Sequence, residues 1–380
     1  MADDPRTEPT SGLVWATRMA PLFGAVVPRL YRPFATRRPP RWSQRIDVEH
    51  WTAVADGRHN LTTDMLYWRD RFWLVHASSP WHLASTSSRL VLWSSPDARE
   101  WQREAEFGLP GRDIRDPKLA VIGDRLFLYV LRNAGFVAEP GGTSFAVSDD
   151  GRSFTELAPC GPEGWLFWRP KAGPDGRWYV PAYWRAHGKS ILLASEDGER
   201  WSEVSVIHEG AHNDETDLEF TADGRALVTA RLEGSGNPLG DDRGCTLIAV
   251  AEPPYVDWRS ARSTTTRLDG PNLFSHDGTI YAAGRHHPMG TGRLDRRGGF
   301  FGAGKRTALY RVTDDGLHHL VNLPSAGDTG YPGVVVRGDE LTVCYYTNAL
   351  HTDPPWLVGM CLPSEIRIAR LSLAALAAVG

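Results

Sequence analysis

Short apolar runs recur along the chain, each broken by a two-residue polar turn. The turns fall at Arg69-Asp70, Gly123-Asp124, Asp175-Gly176, Asp223-Gly224, Asp277-Gly278 and Gly338-Asp339. Asp-Gly between two alternating apolar stretches is a strong hairpin signal, because Gly accepts the positive φ that tight turns need. Each turn leads into a predicted strand: Phe72–Val75, Leu126–Val130, Trp178–Tyr183, Ala226–Ala230, Thr279–Ala283 and Leu341–Tyr346. The turns are roughly 50–60 residues apart, the period of a propeller blade. Six turns therefore predict an all-β, six-bladed β-propeller of four-stranded antiparallel blades over residues 46–380. An N-terminal extension, amphipathic and basic, occupies residues 1–45.

A ring of blades must be closed, since an open sheet edge invites aggregation. The last repeat ends in the alternating stretch Ile366–Leu373. Ile46–Val54, lying before the first hairpin, is the predicted closing strand.

A second signal keeps step with the first. Ser95-Pro-Asp97-Ala-Arg-Glu-Trp101, Ser148-Asp-Asp150-Gly-Arg-Ser-Phe154 and Ser195-Glu-Asp197-Gly-Glu-Arg-Trp201 share one frame, Ser-x-Asp-(Gly/Ala)-x-x-aromatic. Ser and Asp bond turn amides, and the aromatic packs between sheets. These segments resemble the Asp-boxes of sialidase-type propellers, which join the two outer strands of a blade. Pro253–Trp258 and Thr313–Gly316 fill the same slot in later repeats.

Composition agrees with an all-β fold: 380 residues hold 38 Gly, 27 Pro and 15 Trp. A net charge of −4 gives no reason to expect a nucleic-acid partner. The four cysteines lie far apart without metal-ligand spacing, so they read as reduced and buried, with no metal or cofactor implied. Residues 13–38 are too interrupted by Arg and Pro to span a membrane. They pack on the propeller's side or make a weak contact with a membrane surface. Without a secretory signal, the expected location is the cytoplasm.

Blade geometry selects candidate chemistry. The first strand of each blade starts at one face and the second returns to it. Residues about eight before and about seven after each turn therefore ring one mouth. Before the turns these are Thr62 near Asp64, Arg115 with Asp116, Phe167 with Trp168 and the adjoining Arg169, then Glu215, Asp269 and Tyr331. After the turns they are His76, Arg132, Trp184 with Arg185, Arg231, Arg285 and Thr347. Unpaired charge in a confined space is costly, so an excess of Arg implies an anionic ligand. Trp168 and Trp184 either stack on a sugar or pack between blades.

Asn213-Asp-Glu215-Thr-Asp-Leu-Glu-Phe with Arg231 downstream, and Asp328-Thr-Gly-Tyr331-Pro-Gly-Val with Tyr345-Tyr346, resemble two sialidase segments. That resemblance covers roughly residues 47–373. It implies a Tyr331 nucleophile, Glu215 as its base, and Arg231 and Arg285 as two of three carboxylate-binding arginines. Where sialidases open their first blade with Arg-Ile-Pro, this chain has Asn60-Leu-Thr-Thr63-Asp64, so the first arginine is missing. The loop that carries their acid Asp holds His82 instead, a candidate general acid near neutral pH or an ordinary structural histidine. Both departures argue against sialic acid itself as the substrate. Gly111-Arg-Asp-Ile-Arg115-Asp116-Pro-Lys118 resembles the Arg-Asp-Pro segment of invertase- and arabinanase-like propellers. In that reading Asp116 and Glu215 are paired carboxylates with Asp64 a third, and Arg115 and Lys118 hold substrate; otherwise Arg115 and Asp116 tie two blades together.

The long basic stretch from Arg285 to Arg306 reads as a lid or binding loop, or as a segment without fixed structure. The leading expectation is an exo-acting glycoside hydrolase on an acidic or polar sugar. The alternatives are a polysaccharide lyase acting on a uronate, with His82 and Tyr331 as its acid–base pair, and a non-catalytic sugar-binding propeller.

Overall fold

The computed structural model describes residues 45–133, 140–234, 244–287 and 304–380, together with Val26 and Arg29. The expected surface segment 13–38, apart from those two residues, and most of the basic stretch 285–306 lie outside the described residues. Six antiparallel sheets follow one another around an axis. Blade 1 is formed by His59–Trp68, Arg71–Ser79, Arg89–Ser95 and Gln102–Phe107. Blade 2 takes Ile114–Ile122, Arg125–Asn133, Pro140–Ser148 and Ala158–Cys160. The innermost strand of blade 3 is split into Trp165–Phe167 and Lys171–Ala172, and both pieces pair with Trp178–Trp184. Blades 4 and 5 begin at Asn213–Phe220 and Asp269–His276. Blade 6 runs Thr329–Arg337, Glu340–Thr347 and Glu365–Ser372, and Glu49–Val54 is its outermost strand. The expected ring closure is therefore present, with Trp51 opposite Ile368.

In blades 1, 2, 5 and 6 the turn has the expected two residues, as in Trp68 paired with Arg71 and Arg337 paired with Glu340. In blades 3 and 4 the Asp-Gly pair sits inside a longer loop, closed by Gly173 N to Arg177 O and Thr221 N to Arg225 O.

The Ser-x-Asp turns explain how neighbouring blades dock. Oδ1 of Asp150 accepts the amides of Arg152 and Ser153 at 2.8 and 2.7 Å, while the Ser148 hydroxyl accepts Gly151 N at 2.8 Å. Gly151 lies directly against the Trp73 ring of blade 1; a Cβ there would come within 2.0 Å of the indole. The device repeats. Tyr129 of blade 2 donates its hydroxyl to Gly198 O in the blade 3 turn, and Trp51 donates its indole N–H to Ala98 O in the blade 1 turn. Each turn thus presents a flat backbone surface to the preceding blade's aromatic, and apolar area is buried without leaving turn amides unpaired. Cys160, Cys245 and Cys344 are buried free thiols and Cys361 is half-buried. Among the described residues, no helix is long and apolar enough to cross a membrane.

Candidate active site

The innermost strands share an irregularity that builds the mouth. Their pairing slips between Leu61 and Thr63, Arg115 and Lys118, Asn213 and Thr216, Asp269 and Asn272, and Gly330 and Gly333. A bulge adds one residue to a strand and re-aims the side chains around it. Thr62, Asp116, Gly270 and Tyr331 sit in these bulges with φ of 44°, 49°, 61° and 49°. For non-glycine residues such values are strained, and strain of this kind concentrates at functional sites. The bulges also touch. Thr62 Oγ1 accepts Asp116 N at 3.3 Å, Thr63 Oγ1 donates to Tyr331 O at 2.6 Å, and Glu215 Oε2 accepts Gly270 N at 2.7 Å.

Two residues beyond each bulge the strands meet at the axis. Arg169 donates to Asp64 Oδ1 at 3.1 Å through Nε and Nη2, to Asp217 Oδ2 at 3.2 Å, and to the carbonyls of Pro271 and Pro332. Asp64 Oδ2 accepts Leu119 N at 2.8 Å. Arg169 with its two carboxylates thus ties the inner strands of all six blades. It forms the floor of the mouth, with Asp64 and Arg169 both buried. On its hairpin side lies a separate cavity of about 300 Å³, lined in part by Lys171, Glu219 and Phe274. Trp168 is also buried: its indole N–H donates to Pro271 O, and Lys118 Nζ stands 4.1 Å from the ring centroid. Burial pushes the Lys118 ammonium down to about 8, with Arg169 adding to the effect. These four residues support the site from beneath.

Above this floor, blades 4 and 6 bring together two residues far apart in the chain. The Tyr331 hydroxyl donates to Glu215 Oε1, the same oxygen that takes Arg231 Nη1 at 2.9 Å. Tyr331 is 8% and Glu215 4% exposed, so little of the pair meets solvent. Burial, reinforced by Glu215 and opposed by Arg231 and Arg285, holds the phenol well above its ordinary value. Two neighbours hold the ring. Gly270 leaves no room for a Cβ, which would lie 2.6 Å from Tyr331 Cγ, and Arg285 Cζ stands 5.1 Å from the ring centroid.

Asp116 closes the group. It is partly exposed, and its Oδ1 has no hydrogen-bond partner. Burial raises its carboxyl pKa, against the pull of Lys118 and Arg115. A carboxyl so placed keeps its proton further up the pH range, as a general acid must.

Three of the expected arginines are already paired. Arg231 Nε reaches both oxygens of Asp214 at 2.7 and 2.9 Å, and Nη2 reaches Glu233 at 3.3 Å. Arg285 donates to Thr329 O at 2.7 Å and Tyr346 Oη at 2.5 Å, and pairs with Asp269 and Asp328 at 3.4 Å. Arg115 is engaged by Asp113 at 2.6 Å and by the His82 carbonyl at 3.3 Å. The guanidinium groups of Arg115, Arg231 and Arg285 are thus met by carboxylates of the chain itself, whereas Arg132 Nε is left without a hydrogen-bond partner. Asp214, Glu233 and Asp328 carry much of this pairing, and the sequence reading did not single them out. They lie one, two and three positions from Glu215, Arg231 and Tyr331 in sequence, which is the one signal that marked them.

His82 is near the mouth but turned to the protein. Its Nδ1 lies 2.6 Å from Asp328 Oδ2, its amide donates to Met360 O, and burial lowers its pKa. His59, Nδ1 2.6 Å from Leu362 O, presents Nε2 to the same Asp328 oxygen at 3.2 Å. Asp328 also accepts the Trp356 indole N–H at 2.7 Å.

No family model matches the chain, and no curated protein matches it. Solved structures do. A Dyadobacter fermentans protein of unknown function superposes with a TM-score of 0.65 at 16% identity, over 86% of this chain and 99% of that one. Trypanosoma rangeli sialidase in complex with the inhibitor DANA gives 0.61 at 11% identity, over 83% of this chain and 55% of its own. The phage phi92 endosialidase gives 0.60 at 10% identity, over 86% and 69%. The chain thus spans little more than half of the trypanosomal enzyme. What is common to all three is the sialidase-like six-bladed fold.

Proposed function

We propose that the mouth is the active site of a glycoside hydrolase that works through Tyr331. The observation that carries this reading is the Tyr331–Glu215–Arg231 contact set: a nucleophile bonded to a base, the base in turn fixed by a cation. Tyrosine nucleophiles are a recognised exception to the two-carboxylate rule of glycosidases.

In the first step Tyr331 Oη bonds to the anomeric carbon and passes its proton to Glu215. Asp116 gives its proton to the departing glycosidic oxygen, so the C–O bond breaks without releasing an alkoxide. In the second step Asp116 takes a proton from water as that water attacks the same carbon. The Tyr331–sugar bond breaks, and Glu215 returns the proton to the phenol. Two inversions give net retention. Arg231 offsets charge passing between Oη and Oε1, and Arg285, over the ring, stabilises phenolate character during bond making and breaking. His82, bound to Asp328, positions the wall of the mouth.

The reading is tested with a panel of aryl glycosides on the parent, Tyr331→Phe and Glu215→Gln proteins. Hydrolysis by the parent that falls by about 10²–10⁴-fold in both variants supports it. Parent-like rates in both variants remove it.

A further inference from the structure

We infer that the sugar received at the mouth is neutral, because the chain's own carboxylates occupy the arginine forks that would hold a sugar carboxylate. This deepens the proposed hydrolase reading and rests on it. It also sets aside elimination on a uronate, which needs a carboxylate beside the acidic proton.

A guanidinium offers five N–H donors in a fixed fork, and it recognises a carboxylate best with two parallel bonds. At Arg231 the bidentate face is taken by Asp214, with both oxygens within 2.9 Å of Nε. Its remaining edge meets Glu215 and Glu233. At Arg285 one edge meets Asp269, the other meets Asp328 and Tyr346 Oη, and Nε is bound to Thr329 O. Asp269 is itself tied to Arg267 at 2.8 Å and to His287 at 2.9 Å. Displacing Asp214 or Asp328 would leave a buried carboxylate without its partner, which is strongly unfavourable.

The charged atom left without a bond points the same way. Among the groups gathered around Tyr331 (Asp116, Glu215, Arg115, Arg231 and Arg285) it is a carboxylate oxygen, Asp116 Oδ1, while Arg132 Nε is unbonded elsewhere on the ring. An acidic sugar would bring its negative charge to the Arg231 and Arg285 forks, which are matched, and beside Asp116, which is itself an acid. A neutral sugar instead offers hydroxyl donors to Asp116 and asks for no spare cation.

The inference is tested apart from turnover by titrating acetate into the protein at pH 8 against chloride at equal ionic strength. That pH lies above the Asp214 carboxyl, which burial pushes up to about 7. The readout is tryptophan fluorescence, since Trp168 lies 6.2 Å from Tyr331 and Trp356 lies 5.4 Å from Arg285 Cζ. The parent is expected to show no saturable response. Asp214→Ala, which vacates the carboxylate's place, is expected to bind acetate at least about tenfold more tightly than the parent; Glu233→Ala serves where Asp214→Ala does not fold. Saturable acetate binding by the parent, abolished in Arg231→Lys or Arg285→Lys, overturns the inference. Paired aryl glucosides and glucuronides, and galactosides and galacturonides, add the kinetic arm. A higher kcat/KM for the neutral member supports the inference, and preference for the acid overturns it. Loss of all hydrolysis would remove the hydrolase reading but leave the acetate result decisive for the fork.

Discussion

The Tyr331 hydroxyl and Glu215 Oε1 share a hydrogen bond across 116 residues of chain, and Arg231 Nη1 holds the same oxygen at 2.9 Å. The bond exists because two bulges, in blades 4 and 6, turn these side chains into one mouth. Gly270, between them, supplies an amide to the base and a bare face to the nucleophile's ring.

Gly270 is therefore the most sensitive small residue of the site. Its φ of 61° suits glycine, and an added methyl would meet Tyr331 Cγ at 2.6 Å and its Cα at 2.9 Å. Gly270→Ala is expected to lose about 1–3 kcal/mol of stability through overpacking. It should also lower turnover by at least about tenfold, because misplacing a reacting group is costly. Urea unfolding and steady-state kinetics check the two effects separately; unchanged turnover would show that the ring tolerates displacement.

Asp116 gives a prediction that depends on the leaving group. An acid matters most when the departing oxygen is a poor leaving group. Asp116→Asn should therefore abolish hydrolysis of alkyl glycosides while sparing kcat/KM, which reads the first step, for dinitrophenyl glycosides, with kcat lowered because the second step still lacks its base. The sign with pH follows from its raised pKa: the protonated form is the active one, so parent activity is present below that pKa and falls as pH rises through it. In Asp116→Asn that alkaline limb should vanish from the pH profile of the activated substrate. Equal losses on both substrates would assign Asp116 to structure.

The floor of the site makes a prediction about stability. Arg169→Met removes the partner of two buried carboxylates, Asp64 and Asp217, and four of its neighbours lie on other blades. Breaking a buried pair from one side costs about 3–5 kcal/mol. Chemical denaturation should show that loss. A double variant, Arg169→Met with Asp64→Asn, should recover part of it, since fewer uncompensated charges remain.

The blade count, the hairpin positions, the closing strand and the Ser-x-Asp turns were legible in the sequence, since each depends on local turn chemistry and period. Glu215, Tyr331, Arg231 and Asp116 were legible because the mouth recurs at a fixed distance before and after each turn. What local pattern could not separate was the mouth from the floor. Thr62 and Asp64, Asp116 and Lys118, or Glu215 and Asp217 differ by two positions on one strand, and a bulge alters which of them faces outward. Asp64 and Arg169 therefore looked like chemistry although they are the axle of the fold. The pairing of Arg231 with Asp214 and of Arg285 with Asp328 was hidden for a related reason. Both pairs form beside a bulge, where regular alternation gives no guide to side-chain direction.

The account's central claim is that Tyr331 bonds to the sugar. Incubation with a 2-fluoro aryl glycoside of a sugar the protein hydrolyses should trap that intermediate, because the fluorine slows its breakdown. Peptide mass spectrometry should then find one added fluoroglycosyl unit on the peptide containing Tyr331, and none in Tyr331→Phe. A label on Glu215 or Asp116 instead, or hydrolysis of the parent substrate at full rate by Tyr331→Phe, would contradict it.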